Sequence, residues 1–236
     1  MDTASLESTH PLVEAASWEP ASEPTCEALE RLAIVSRYDS GQLVYRPNET
    51  AENWFRLVSG AARKCTLSSD GHRHIVDFLL PGDFFGFCAS SGYAFCVEVI
   101  VPGTCIARYT RGHAEKLADS NPQVARLVRR TAFASITRLQ WRTLVLGRRS
   151  ALEKVSAFLL EMADRSWAGT QSPSWPGDAV YLPMSRYDIA DYLAMAVETL
   201  CRTLTSLRVC GAIAFPHARQ VQIRDRAVLE NAVASK

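Results

Sequence analysis

The 236-residue chain has no apolar run near the roughly 18 residues that would cross a bilayer, so no membrane-spanning helix is expected. Its first ten residues are acidic and polar, with neither a basic flank nor an apolar stretch, which excludes a signal peptide there and makes the cytoplasm the expected location. The seven cysteines (26, 65, 88, 96, 105, 201 and 210) contain no C-x-x-C pair. An odd, scattered set without a secretory leader points to reduced thiols rather than a disulfide framework, and no local ligand cluster suggests a metal. Phosphate-binding loops, nucleophile elbows, metal-ligand helices and dinucleotide fingerprints are all missing, so neither an enzyme nor a bound cofactor is expected. Strong net charge is lacking too, the balance being +1. That even sum hides a skew: 7 Lys/Arg against 14 Asp/Glu in residues 1–107, 10 against 2 in 108–149, and 9 against 9 thereafter. The C-terminal part is therefore not a basic domain overall.

What is present falls into segments. Residues 1–26 are rich in Ser, Glu and Pro and read as a loosely held arm. Glu27–Ile34 suggests a short amphipathic helix. From Tyr38 to Tyr109 short apolar runs (42–45, 54–58, 62–67, 74–79 and 97–101) alternate with turn signals such as Pro81-Gly82-Asp83, the pattern of an antiparallel sandwich or barrel. Asn121-Pro122 then caps a long helix predicted to reach Leu146. Val124, Val128, Thr131, Ser135 and Leu139 form a narrow stripe along it, widened by Leu127, Phe133, Ile136, Leu144 and Val145. A helix apolar over so much of its circumference needs two surfaces to bury against, one of them plausibly the same helix of a second subunit.

Gly147-Arg148-Arg149 reads as a hinge, and Ser150-x-x-Glu153 opens a helix running to about Arg165. After a loop at 168–177 and a short strand at 180–182, Met184–Arg208 reads as two helices separated by a tight turn. A β-hairpin wing (212–215 and 220–223) and a last helix (226–233) follow. On the second helix of that pair Glu198 and Arg202 stand four residues apart, on one face. Such a pair could be an ordinary surface ion pair. Displayed toward a major groove, the carboxylate instead accepts from cytosine N4 and the guanidinium grips guanine O6 and N7. Ser185, Arg186, Thr199, Thr205 and Arg208 are the candidate phosphate contacts, which would position the helices without reading sequence.

Taken in this order, the chain resembles the CRP/FNR superfamily of bacterial transcription regulators from about residue 27 to 230. The motifs that carry the likeness are Val197-Glu-Thr-Leu-Cys-Arg202, similar to the E-T-[VI]-S-R helix of the FNR and FixK branch, and Pro81-Gly-Asp-Phe-Phe-Gly86, similar to the family's P-G-D-x-x-G turn. Ala218–Asp225 looks like a FixK-type wing. The resemblance implies an α+β fold with three parts: a cyclic-nucleotide-binding-like β-roll (27–120), a dimerisation helix with hinge (121–147), and a winged helix-turn-helix (148–236). It also implies a homodimer that reads a TTGAT-like palindrome in double-stranded DNA, touches RNA polymerase, and activates low-oxygen or nitrogen-metabolism genes. The 168–177 loop is the guess for the polymerase contact.

This sequence departs from the family at several positions. Cys201 stands where serine is usual, so base preference there is open; Ala194 replaces the turn glycine and Ala196 the usual Ser or Thr cap. Phe87-Cys88-Ala89 and Ala94-Phe95 occupy the places where cyclic-nucleotide binders carry a glutamate and an Arg-Ser pair, so no cyclic nucleotide is expected. The arm offers only Cys26 where FNR carries its iron–sulfur cysteines. Two alternatives stay open: an effector-gated sensor, with haem through His72 or His74 as one version, and a redox-controlled regulator whose candidate thiol is Cys201.

Overall fold

A computed structural model describes residues 27–67, 73–147, 150–165 and 179–234. The arm at 1–26, His72, the hinge arginines 148 and 149, and the 168–177 loop lie outside the described residues. After a single turn of helix, α1 (Glu27–Glu30), come eight strands: β1 (Ile34–Tyr38), β2 (Leu43–Tyr45), β3 (Asn53–Ser59), β4 (Ala62–Leu67), β5 (Arg73–Leu79), β6 (Phe84–Phe85), β7 (Cys96–Val99) and β8 (Thr104–Thr110). They build two antiparallel sheets, ordered β1-β8-β3-β6 and β2-β7-β4-β5. The expected helix at 27–34 is thus cut short. β-branched Ile34 and Val35 pair with β8 instead, where extended backbone gains ladder hydrogen bonds that an isolated helix of two turns could not match.

Between the sheets lies an aromatic core. Tyr45 stacks on Tyr93 at 3.9 Å and Phe55 on Phe85 at 5.3 Å. The P-G-D-x-x-G turn makes this packing feasible: Gly86 has φ +87°, and a Cβ there would sit 2.9 Å from the Phe55 ring and 3.0 Å from the Asn53 carbonyl.

α2 (Arg111–Ser120), unforeseen between the strand-rich region and the long helix, leads into α3 (Pro122–Leu146). The Asn121 side chain accepts hydrogen bonds from the backbone of Gln123 and Val124, as its position before a first-turn proline predicts. The stripe expected to face a second subunit needs correction. Val124 is fully buried in its own subunit against Leu29, Trp54, Tyr109 and Ala114. By helical spacing Thr131 and Ser135 share that face, together with Arg138, Arg142 and Val145, which turn toward the chain's own domains. The apolar residues left exposed are Phe133 (60%), Ile136 (48%), Leu139 (48%) and Leu144 (49%), running from the edge of that face round to the opposite side. Only Leu139 belongs to both sets.

α4 (Ala151–Asp164) starts at Ser150, whose hydroxyl accepts from the Glu153 backbone N–H and donates to its carboxylate. The remaining elements are β9 (Ala179–Tyr181), α5 (Arg186–Tyr192), α6 (Val197–Val209), β10 (Ile213–His217), β11 (Gln220–Ile223) and α7 (Arg226–Ala234). β9, β11 and β10 form one small antiparallel sheet behind the two short helices. Among the described residues no helix is long and apolar enough to cross a membrane.

Candidate nucleic-acid interface

α6 is held by one face only. Leu200, Leu204 and Leu207 are buried at helical spacing, each worth about 1.5–3 kcal/mol of apolar burial. Their burial fixes what the opposite face displays. Glu198, Cys201, Arg202, Thr205 and Arg208 all lie on that face and are exposed; Thr199 is exposed at its margin. Among the described residues Glu198 and Arg202 form no ion pair with each other or with a neighbour, so the ordinary surface pairing does not consume them. Thr205 turns its hydroxyl back onto the Cys201 carbonyl, 2.9 Å away, and Thr203 does the same to Thr199.

The helix in front of it is set by a complete capping box. Ser185 Oγ accepts from the Asp188 N–H at 3.1 Å, while Asp188 Oδ2 accepts from the Ser185 N–H at 3.1 Å. The Ser185 hydroxyl also donates to that carboxylate, at 2.8 Å, so it is engaged within the cap. Arg186 lies half-buried over the Phe215 ring of the wing, 5.0 Å away, and burial lowers its pKa. Between the start of α5 and the wing is a depression of about 180 Å³ lined by Ser185, Arg186 and Arg219, among others. Arg219, at the wing tip, is a cation the sequence reasoning passed over; the signal was its place in the turn between the two wing strands.

The two departures in the turn have structural counterparts. Ala194 adopts φ +48°, the left-handed conformation that costs a residue with a Cβ roughly 1–2 kcal/mol. Ala196 occupies the N-cap of α6 and supplies no side-chain hydrogen bond.

The helix-turn-helix is not free of the β-roll. Arg63 on β4 reaches Asp188 at 2.6 Å and Glu98 at 2.7 Å, and Arg73 reaches Asp188 at 3.2 Å. The Ile75 N–H donates to Asp191 at 3.0 Å. His74, exposed, lies 3.9 Å from the same Asp191. Arg142 of α3 donates to the carbonyls of Ile75 and Val76 and stacks over Tyr192 at 4.5 Å. Deeper in, Asp83 of the P-G-D turn receives Arg165 at 2.7 Å, Arg138 at 2.9 Å and the Leu80 N–H at 2.8 Å. Burial alone would raise the Asp83 pKa, but the two guanidinium groups outweigh it and hold the carboxyl below its usual range. Glu161, beside Arg165, is pushed up by burial despite that arginine. None of these long-range partners was visible in the sequence, because each joins residues tens of positions apart.

Comparison with known proteins agrees with this architecture. Residues 153–232 match the Crp-like helix-turn-helix domain and residues 35–121 the cyclic nucleotide-binding domain. The nitrogen fixation regulation protein FixK of Azorhizobium caulinodans is 41% identical over 79% of this chain and 73% of its own. The transcriptional activatory protein AadR of Rhodopseudomonas palustris is 38% identical over 77% of this chain and 74% of its own. Among solved structures, FixK2 from Bradyrhizobium japonicum superposes with a TM-score of 0.77 at 36% identity, covering 86% of this chain and 98% of that one. With its sandwich of two sheets, its capped long helix and its winged helix-turn-helix, this chain belongs to the CRP/FNR family of transcription regulators, on the FixK-type branch.

Proposed function

We propose that the chain is a homodimeric transcription activator that reads a TTGAT-like palindrome, Glu198 accepting from cytosine and Arg202 gripping guanine, with Cys201 against the base between them. The observation that carries the reading is the exposed, mutually unpaired carboxylate and guanidinium on a helix whose other face is pinned by three leucines. Arg186, Arg219, Thr199, Thr205 and Arg208 border that face and suit phosphate contacts; Ser185, whose hydroxyl is engaged in its cap, suits one chiefly through its place beside the depression. The subunits meet through Phe133, Ile136, Leu139 and Leu144, an apolar face that a monomer leaves in water. Dimerisation would set two reading helices about one DNA turn apart.

The names of the relatives, FixK and AadR, support control of nitrogen-fixation or related metabolism and an activating role, which in turn requires RNA polymerase as a partner. Cyclic nucleotide is not the effector in this reading. Tyr45, Phe55, Phe85 and Tyr93 fill the space between the sheets, and no arginine stands at 94 or 95 to meet a phosphate. A second reading, redox control through Cys201, is favoured by its exposure on the groove-facing side: oxidation would add bulk and charge there.

The test is a gel shift with a palindromic duplex against random DNA. Arg202→Ala should cost about 1–3 kcal/mol on the palindrome and far less on random sequence. Equal losses on both would make Arg202 a phosphate clamp and end the base-reading assignment.

A further inference from the structure

Cys65 on β4 and Cys96 at the start of β7 are direct partners in the antiparallel register of the second sheet. Their side chains meet: the two sulfurs are 2.9 Å apart, and the Cys96 thiol donates to the Cys65 carbonyl at 3.1 Å. Residues opposed in an antiparallel ladder have Cα atoms about 4.5–5.5 Å apart, inside the roughly 4.4–6.8 Å span of a disulfide, so the strand spacing brings the pair within reach of a bond. Two positions along the same pair of strands stand Arg63 and Glu98, on the same face, where Arg63 clamps Asp188 of the helix-turn-helix. The thiols are 1% and 4% exposed. Among the described residues no group of three or more Cys, His, Asp or Glu is arranged to hold a metal ion.

We propose that Cys65 and Cys96 are a reversible dithiol/disulfide site beneath the helix-turn-helix, whose oxidant is hydrogen peroxide. One sulfur, as its thiolate, attacks a peroxide oxygen and breaks the O–O bond, giving a sulfenic acid and, with one proton, a first water. The second thiol then attacks the sulfenic sulfur and releases the second water. The two sulfurs together give up two electrons and two protons, and a dithiol reductant returns them. Burial, reinforced by the Cys96 contact, pushes the Cys65 thiol up to about 12, which makes the pair slow to react while the face is covered. Loosening the Arg63–Asp188 clamp uncovers it. The proposal is independent of how DNA is read.

The experiment oxidises the full chain with hydrogen peroxide, alkylates it after denaturation, and maps the peptides by mass. Expected is one linked pair containing Cys65 and Cys96, about 2 Da lighter than the reduced peptides for the two hydrogens lost and restored by dithiothreitol. The link should persist in a Cys201→Ser/Cys210→Ser variant and form several-fold faster in Asp188→Asn. Full alkylation of Cys65 and Cys96 in Asp188→Asn, at a peroxide dose that oxidises exposed Cys201, would overturn the proposal. So would a link joining either cysteine to another partner.

Discussion

The exposed face of α6, proposed to read DNA, and the junction beneath α5 use the same residue types to opposite ends. At the junction Arg165 is buried, Arg63 and Arg138 are half-buried, and every one meets a carboxylate. On α6 Glu198 and Arg202 are exposed, and among the described residues neither is answered. Charges that a fold withdraws from water must be matched, because a lone buried ion is too costly. Charges left in water and unmatched are free to meet an outside partner. The contrast separates arginines that hold the molecule together from Arg202, the one proposed to act for it.

Breaking the junction should have the largest effect. Arg165→Ala leaves the buried Asp83 with Arg138 as its one arginine and empties the Phe78 carbonyl's partner, and should lower unfolding free energy in urea by about 2–3 kcal/mol. Arg202→Ala, exposed and unpaired, should change it by less than about 0.5 kcal/mol while DNA binding falls. Similar melts for the two variants would erase the contrast. The next effect is a pH dependence. Asp83 is held below its unfolded value of about 3.9, so its ionised form stabilises the fold above that pH, and this contribution is lost as pH falls through the folded-state value. Glu161 is shifted upward, so it opposes folding at neutral pH, and that opposition fades on acidification. Asp83→Asn should therefore melt lower at pH 6 and lose less stability than the parent between pH 4 and 3, on the order of the shift it removes. The smallest effect sharpens the reading side: Ala194→Gly should relieve the left-handed turn and raise stability by about 1 kcal/mol without altering base preference.

Local features were the legible ones. Asn121 before Pro122 and Ser150 before Glu153 each declared a helix start, because a cap is decided by its own three or four residues. The departure at Ala194 was legible only through the resemblance, where relatives carry a glycine. β1 was missed because Ile34 and Val35 are sealed into a strand by β8, some seventy residues away. The face of α3 that remains in solvent lies about a third of a turn from the narrow stripe, among the residues read as widening it. Arg138 and Arg142 look like surface residues until Asp83 and the Ile75 carbonyl are seen to hold them inward. For the reading helix, Glu198 and Arg202 were legible as a pair, but only the burial of Leu200, Leu204 and Leu207 settles which way they face.

Asp188 divides its two oxygens between tasks. One starts the helix ahead of α6, through Ser185, and the other meets Arg63 and Arg73 on the roll. Grafting this C-terminal region onto a cousin's roll without both arginines would strand a carboxylate that the helix still requires. Specificity swaps between relatives should therefore exchange the few groove-facing side chains and leave whole domains where they are.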